Sequence, residues 1–389
     1  MRAFANGYYK SLKRMYDYFG VYYDSSRFIY TLSSTPRTMG DKIRPYFIHS
    51  SNNHQVPPLK PEGSSWGSWL LELCYLFVCY YWFTVCCFLV KPKAAEGSDA
   101  DETFSQYLER IGLPRYYIKY YLLPLMSSVT TCPHDALLKF PAIDVVTYEK
   151  GTFRQPHYTI EGGVRKIQAK LSGHQNVRFL STVTEVRNIG AKVKVVWKDE
   201  DTGHLHSTFF DHVIMAVTPD VIGSIFLPLR KEMATIPTVQ VPSVVHFDSA
   251  RLPDSSQSAR KSLSRDRLGK ISQPIHMCSN TNTTESTHEH PSSVFISTSP
   301  ILPIHPAKIL HSVTFTRVLR TTESRQSLRR IFDARKLGYD SEKAEHCWQN
   351  GNGNVWLVGG WCWDGMVMLE GCVISAMRVA DSLGVKIPW

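Results

Sequence analysis

The closing stretch "VWLVGGWCWDGMVMLEGCVISAMRVADSLGV", residues 355–385, admits few folds. Val355 to Val358 form a short apolar run, as expected of a buried strand. The doublet Gly359-Gly360 then allows backbone angles and close approaches that a side chain would prevent. Beyond it, Leu369, Cys372, Val373, Ala376, Val379, Ala380 and Leu383 recur at helical spacing, and Gly384 supplies a stop. A strand, a Gly-rich loop and a helix in that order make a parallel α/β unit, and the helix N-terminus aims free N–H groups at the loop. Such a loop suits a bound oxyanion or the electron-rich edge of a reduced flavin. It equally suits plain packing, since a Gly pair without a phosphate fingerprint does not decide between the two.

The middle of the chain has the texture of such a protein. "HYTIEGGVRKIQAKLSG" reads as a strand, a Gly pair and a helix, and "NVRFLSTVTEVRNIGAKVKVVWKDE" alternates as half-buried strands do. The continuous run Val213 to Val217 predicts a strand buried on both faces, as in a parallel sheet. Earlier, Tyr8, Leu12, Met15, Tyr16 and Phe19 predict a helix ended by Gly20, followed by the strand "RFIYTL". "RYYIKYYLLPLMSSV" predicts an aromatic helix interrupted at Pro124, and "SRQSLRRIFDARKLG" another helix. Residues 249–293 are rich in Ser, Thr, Asn and Arg, which predicts a long, disordered loop.

The run "WGSWLLELCYLFVCYYWFTVCCFLV", residues 66–90, is long enough to span a bilayer and carries one charge, Glu72. Lys91 and Lys93 follow it, and its Trp and Tyr residues match a membrane interface. A buried helix is the alternative, and Glu72 with Cys74, Cys79, Cys86 and Cys87 suits that better. The net charge is +10, without a basic stripe interleaved with aromatics, which argues against nucleic acid. The nine Cys show neither CxxC pairs nor Cys/His sets at zinc spacing, so no metal site and a reducing compartment are expected. The first thirty residues lack an apolar h-region, which predicts an intracellular protein, membrane-associated if residues 66–90 make that contact. Cys132 and His134 in "TTCPHD" offer a nucleophile and a base, or simply a turn before a helix. The sequence singles out no catalytic residue.

Four segments carry a resemblance: "LPLMSSVTTCPHDALLKFPAIDVVTYEKGTFRQPHYTIEGGVRKIQAKLS", "FDHVIMAVTPDV", "FTRVLRTTESR" and "LEGCVISAMRVADSLGV". In their order and spacing the chain resembles the fungal FAD-dependent, amine oxidase-like oxidoreductases, including those of azaphilone-type polyketide pigment clusters. The resemblance implies an α/β fold with an incomplete Rossmann-like FAD/NAD(P)-binding domain and an α+β substrate domain. It assigns 1–147 and 246–335 to the substrate part, the latter with a disordered insertion at 250–293. It assigns 148–245 and 336–389 to the FAD part. It implies FAD bound by Thr182 and Val183 near the adenine, by Gly359, Gly360 and Trp361 near the pyrophosphate and ribityl chain, and by Glu370, Gly371 and Cys372 beneath the flavin pyrimidine. It implies dehydrogenation of a hydrophobic small molecule. The family's opening strand–GxGxxG–helix is not in this sequence. A truncated form is therefore expected, with the edge of the neighbouring parallel strands bare. A non-catalytic, membrane-associated remnant is the alternative.

Overall fold

The computed structural model describes residues 3–36, 43–50, 58–61, 63–94, 101–173, 176–252, 272–290, 292–333 and 348–389. Helix Lys10–Tyr18 buries Leu12, Met15 and Tyr16, and Gly20 at φ +59° turns the chain after it. Phe4–Ala5 and Tyr23–Ser25 both pair with His157–Ile160, making a small antiparallel sheet.

The largest sheet has seven strands, in the order Ile309–Val318, Thr238–His246, Phe295–Thr298, Thr284–Glu289, Gln273–Ser279, Phe28–Ser34 and Pro45–Ser50. All its pairs are antiparallel except Gln273–Ser279 with Phe28–Ser34, where Met277 faces Leu32. Those two residues join one core with side chains of helices Trp66–Leu89, Phe104–Arg110 and Ala142–Thr152. The aromatic segment after Arg115 does not break at Pro124. A π turn at Ile118–Leu122 passes into helix Leu123–Thr130, where Pro124 sits at the start and needs no N–H partner.

Two strands of this sheet correct the expectation of a disordered stretch at 250–293. Gln273–Ser279 and Thr284–Glu289 are paired, and their residues are largely buried. "TESTHE" looks like a loop by composition, yet most of its polar side-chain groups find partners inside. Thr287 Oγ1 and Ser297 Oγ are 2.6 Å apart, Ser297 Oγ lies 2.9 Å from His246 Nε2, and Arg251 pairs with Glu285 at 2.6 Å. A buried polar group costs little once it is hydrogen-bonded. Residues 253–271 lie outside the described residues.

A second core gathers Val186, Met215, Ile222, Phe226, Leu229, Val355, Leu357 and Trp361. Beside it runs the antiparallel meander Ser181–Ile189, Lys192–Asp199 and Leu205–Phe210. Val213–Met215 pairs in parallel with Val355–Leu357 to make a two-stranded sheet. Burial on both faces is not found there: Ile214 is 50% exposed and Val217 40%, because this sheet is only two strands wide. Nor is the edge of Val355–Leu357 bare. The Asn350 carboxamide accepts from Leu357 N at 2.7 Å and donates to Leu357 O at 3.4 Å, and Gly351 N donates to Val355 O at 2.9 Å. A side chain and a turn thus stand in for a neighbouring strand. The fold class is mixed α/β, as the sequence implies.

Candidate functional site

The terminal unit folds as its periodicity dictates. Val358 N donates to Met215 O at 3.1 Å, and the chain turns at Gly359 into the loop before helix Leu369–Ser382. Ser375 of that helix ties the loop down: its Oγ accepts from Gly359 N at 3.0 Å and donates to Gly359 O at 3.1 Å. Gly360 is required by close approach, since a Cβ there would lie 2.9 Å from Met368 O and 3.5 Å from Cys372 Sγ. At Gly371 a Cβ would overlap the Trp363 indole. The structure therefore brings together Gly359, Gly360, Trp361, Gly371 and Cys372.

The neighbouring groups are already spoken for. Trp361 is buried, with Nε1 donating to Val217 O at 3.2 Å, and Trp363 Nε1 donates to Met366 O at 2.9 Å. Glu370, also buried, turns away from the loop. Its carboxylate accepts from Ser11 N at 2.8 Å and Leu12 N at 2.9 Å, capping helix Lys10–Tyr18. A carboxylate is well placed at a helix N-terminus, where it meets unpaired N–H groups and the positive dipole end. Burial pushes the Cys362 and Cys372 thiols up.

Val183 and Thr182 stand apart from this cluster. Both lie on the meander strand Ser181–Ile189, and Val183 is 37% exposed opposite Trp197. The meander reaches the terminal unit at its other end, where the Asn188 amide donates to Gly353 O and the Asn354 amide to Ala191 O. Cys132 and His134 do not form a pair. Cys132 Sγ bonds Thr130 O at 3.3 Å, whereas His134 Nε2 lies 2.8 Å from Thr284 Oγ1. Burial raises the thiol's pKa and lowers the imidazole's, which favours the neutral form of each. The turn reading holds, leading into helix His134–Leu138.

Composition did not point to the arginines that hold the loop. Arg320 is 1% exposed, and its Nη2 donates to the carbonyls of Trp361 (3.1 Å), Trp363 (2.8 Å) and Gly365 (3.1 Å). Arg317 Nη2 donates to Val367 O at 2.6 Å. Behind Arg320, Asp144 pairs with Arg325, and Asp101 with Arg325 and Arg329. Asp101 and Glu102, just before helix Phe104–Arg110, are both held in ion pairs. Glu102 pairs with Arg110, and Thr103 with Gln106 forms the capping box of helix Phe104–Arg110.

A surface recess of about 520 Å³ opens beside helix Lys10–Tyr18, lined by Lys10, Lys13, Arg14, Asp17, Lys150 and the backbones of Gly7 and Gly151. Lys13 is paired with Asp17, while Lys10 and Arg14 have no acidic partner among the described residues. The recess is suited to an anionic group.

The resemblance places a flavin against Gly359–Cys372, where in this conformation the Trp363 indole lies against Gly371. Trp363 occupies the space over Gly371, Met368 O closes on Gly360, and the loop carbonyls are held by Arg320.

The whole chain resembles a solved structure described as "Crystal structure of CLA-producing fatty acid isomerase from P. acnes". The TM-score is 0.56 over 99% of this chain and 86% of that one, at 11% sequence identity. A second structure, "Native and K252c bound RebC-10x", overlaps 53% of this chain and 36% of its own at a TM-score of 0.29 and 11% identity, too little to carry an argument. No family model and no curated protein matches the chain. What is shared with the isomerase structure is the mixed α/β fold, along nearly the whole chain.

Proposed function

We propose that this chain is an intracellular, FAD-dependent oxidoreductase of the amine oxidase-like type, dehydrogenating a hydrophobic small molecule. The observation that carries the reading is the fold, shared over 99% of the chain with an enzyme of fatty acids, themselves long apolar substrates. The resemblance in sequence suggests fungal polyketide pigment biosynthesis as the setting. FAD itself supplies hydride acceptance when bound, and the protein's share is to position substrate and cofactor. Because Trp363 covers Gly371, binding requires that indole to swing away. The closed loop favours a second reading, a chain of this fold without flavin chemistry.

Titration with FAD separates the two. The first reading expects saturable quenching of the buried Trp fluorescence and a flavin absorbance band that survives gel filtration. It also expects Trp363→Ala, which clears the space over Gly371, to bind FAD more tightly than the parent chain. A parent and variant that both stay colourless and unquenched refute it.

A further inference from the structure

Helix Trp66–Leu89 has two faces. Cys79, Phe83, Thr84, Cys86 and Cys87 are at most 4% exposed and join or border the main core. Leu70, Leu71, Phe77, Val78, Trp82 and Leu89 are at least 50% exposed. At about 100° per residue, the exposed large apolar residues fall within roughly half the helix circumference. Twenty-four residues make this a stripe about 36 Å long. An apolar face this extensive marks an interaction site rather than ordinary surface.

What surrounds the stripe says what covers it. Its single acid, Glu72, is turned to protein hydroxyls, accepting from Tyr121 and Tyr116. Cations stand at both ends. Lys60 Nζ lies 5.5 Å from the Trp66 ring, and Lys150 Nζ lies 5.9 Å from the Phe88 ring. Arg154 stacks on Phe153, whose ring is 5.6 Å from that of Phe88, and Lys91 and Lys93 follow the last turn. An apolar stripe with aromatic residues and a basic rim is the pattern of a helix lying in a bilayer interface. Spanning would strip Phe83, Cys86 and Cys87 from the core and break the Glu72 contacts.

We propose that the exposed face of helix Trp66–Leu89 docks the protein in the plane of a membrane leaflet rich in anionic phospholipid, without crossing it. The docking stands independently of any flavin chemistry. It places the recess of Lys10, Arg14 and Lys150 close to the headgroups, because Lys150 belongs to both.

The test is co-sedimentation of the full chain with vesicles of phosphatidylcholine, alone or mixed with phosphatidylserine. Binding is expected to be stronger on the mixed vesicles, to weaken with salt, and to be released by alkaline carbonate. Lipids brominated near the headgroup should quench Trp66 and Trp82. Leu71→Glu with Phe77→Glu, both at exposed positions, should weaken binding roughly tenfold or more with an unchanged circular dichroism spectrum. Lys91→Glu with Lys93→Glu should remove the preference for phosphatidylserine. Three outcomes overturn the proposal: pelleting that survives carbonate, which means a spanning helix; a dimer dissolved by the Leu71→Glu/Phe77→Glu pair, which means a second copy covers the face; or a monomer that binds neither vesicle.

Discussion

Replacing Arg320 by Met keeps much of the side-chain volume and removes the guanidinium. Three buried carbonyls, of Trp361, Trp363 and Gly365, then lose their donor, and Asp144 loses one of its two cationic neighbours. Each orphaned carbonyl costs about 1–3 kcal/mol. Part of that is offset, because the chain no longer buries the Arg320 charge, whose pKa burial already pushes down. Breaking a buried ion pair by removing one partner costs about 3–5 kcal/mol, and that range is the expected loss here. A domain has only about 5–15 kcal/mol to lose. At about 2.1 cal/mol/K per residue over 389 residues, the melting temperature should fall by roughly 4–6 °C. Near-ultraviolet circular dichroism should lose the fixed environment of Trp361 and Trp363 before the far-ultraviolet signal changes. Arg320→Lys should be intermediate, since one ammonium cannot reach all three carbonyls in the same geometry. A Met variant that melts within about 2 °C of the parent, with an unchanged near-ultraviolet spectrum, refutes the reasoning.

Burial holds the Glu149 carboxyl up at about 7, against an ordinary value of 4.5. The folded state then binds the extra proton between those values, so this group's contribution to stability is fully present below about 4.5 and is lost as pH rises through 7. Glu149→Gln should flatten that slope, a difference of about 1–2 kcal/mol after discounting for partial exposure, read from urea midpoints at either end of the window; parallel slopes count against it. Asn350→Ala should cost about 1–2 kcal/mol and raise light scattering during a thermal ramp, because Leu357 then presents an unpaired strand edge. Unchanged scattering would show that the carboxamide does not guard that edge.

Much of the terminal unit was legible because its signals are local. The spacing of Leu369, Val373 and Val379 and the Gly359-Gly360 doublet act within a few residues. The arginine network was not. "SRQSLRRIFDARKLG" reads as a helix but says nothing of burial, and Arg320 and Arg325 are buried beside Asp144 and Asp101, which reach them from distant sequence. "TESTHE" failed for the opposite reason: period and propensity count apolar residues, while this strand is buried through partners such as Ser297 and Arg251. Glu370 was placed under a flavin from its position in a motif, but its partners, Ser11 and Leu12, lie at the other end of the chain.

That last contact sets the order in which the molecule can be completed. Leu12 N and Glu370 Oε2 are separated by 358 positions. A ribosome adding about 5–20 residues per second needs roughly 20–70 s to bridge that interval. Throughout it, the first turn of helix Lys10–Tyr18 lacks its cap, and its apolar face lacks the terminal helix. The cap on the first helix therefore forms only after Glu370 has emerged from the exit tunnel.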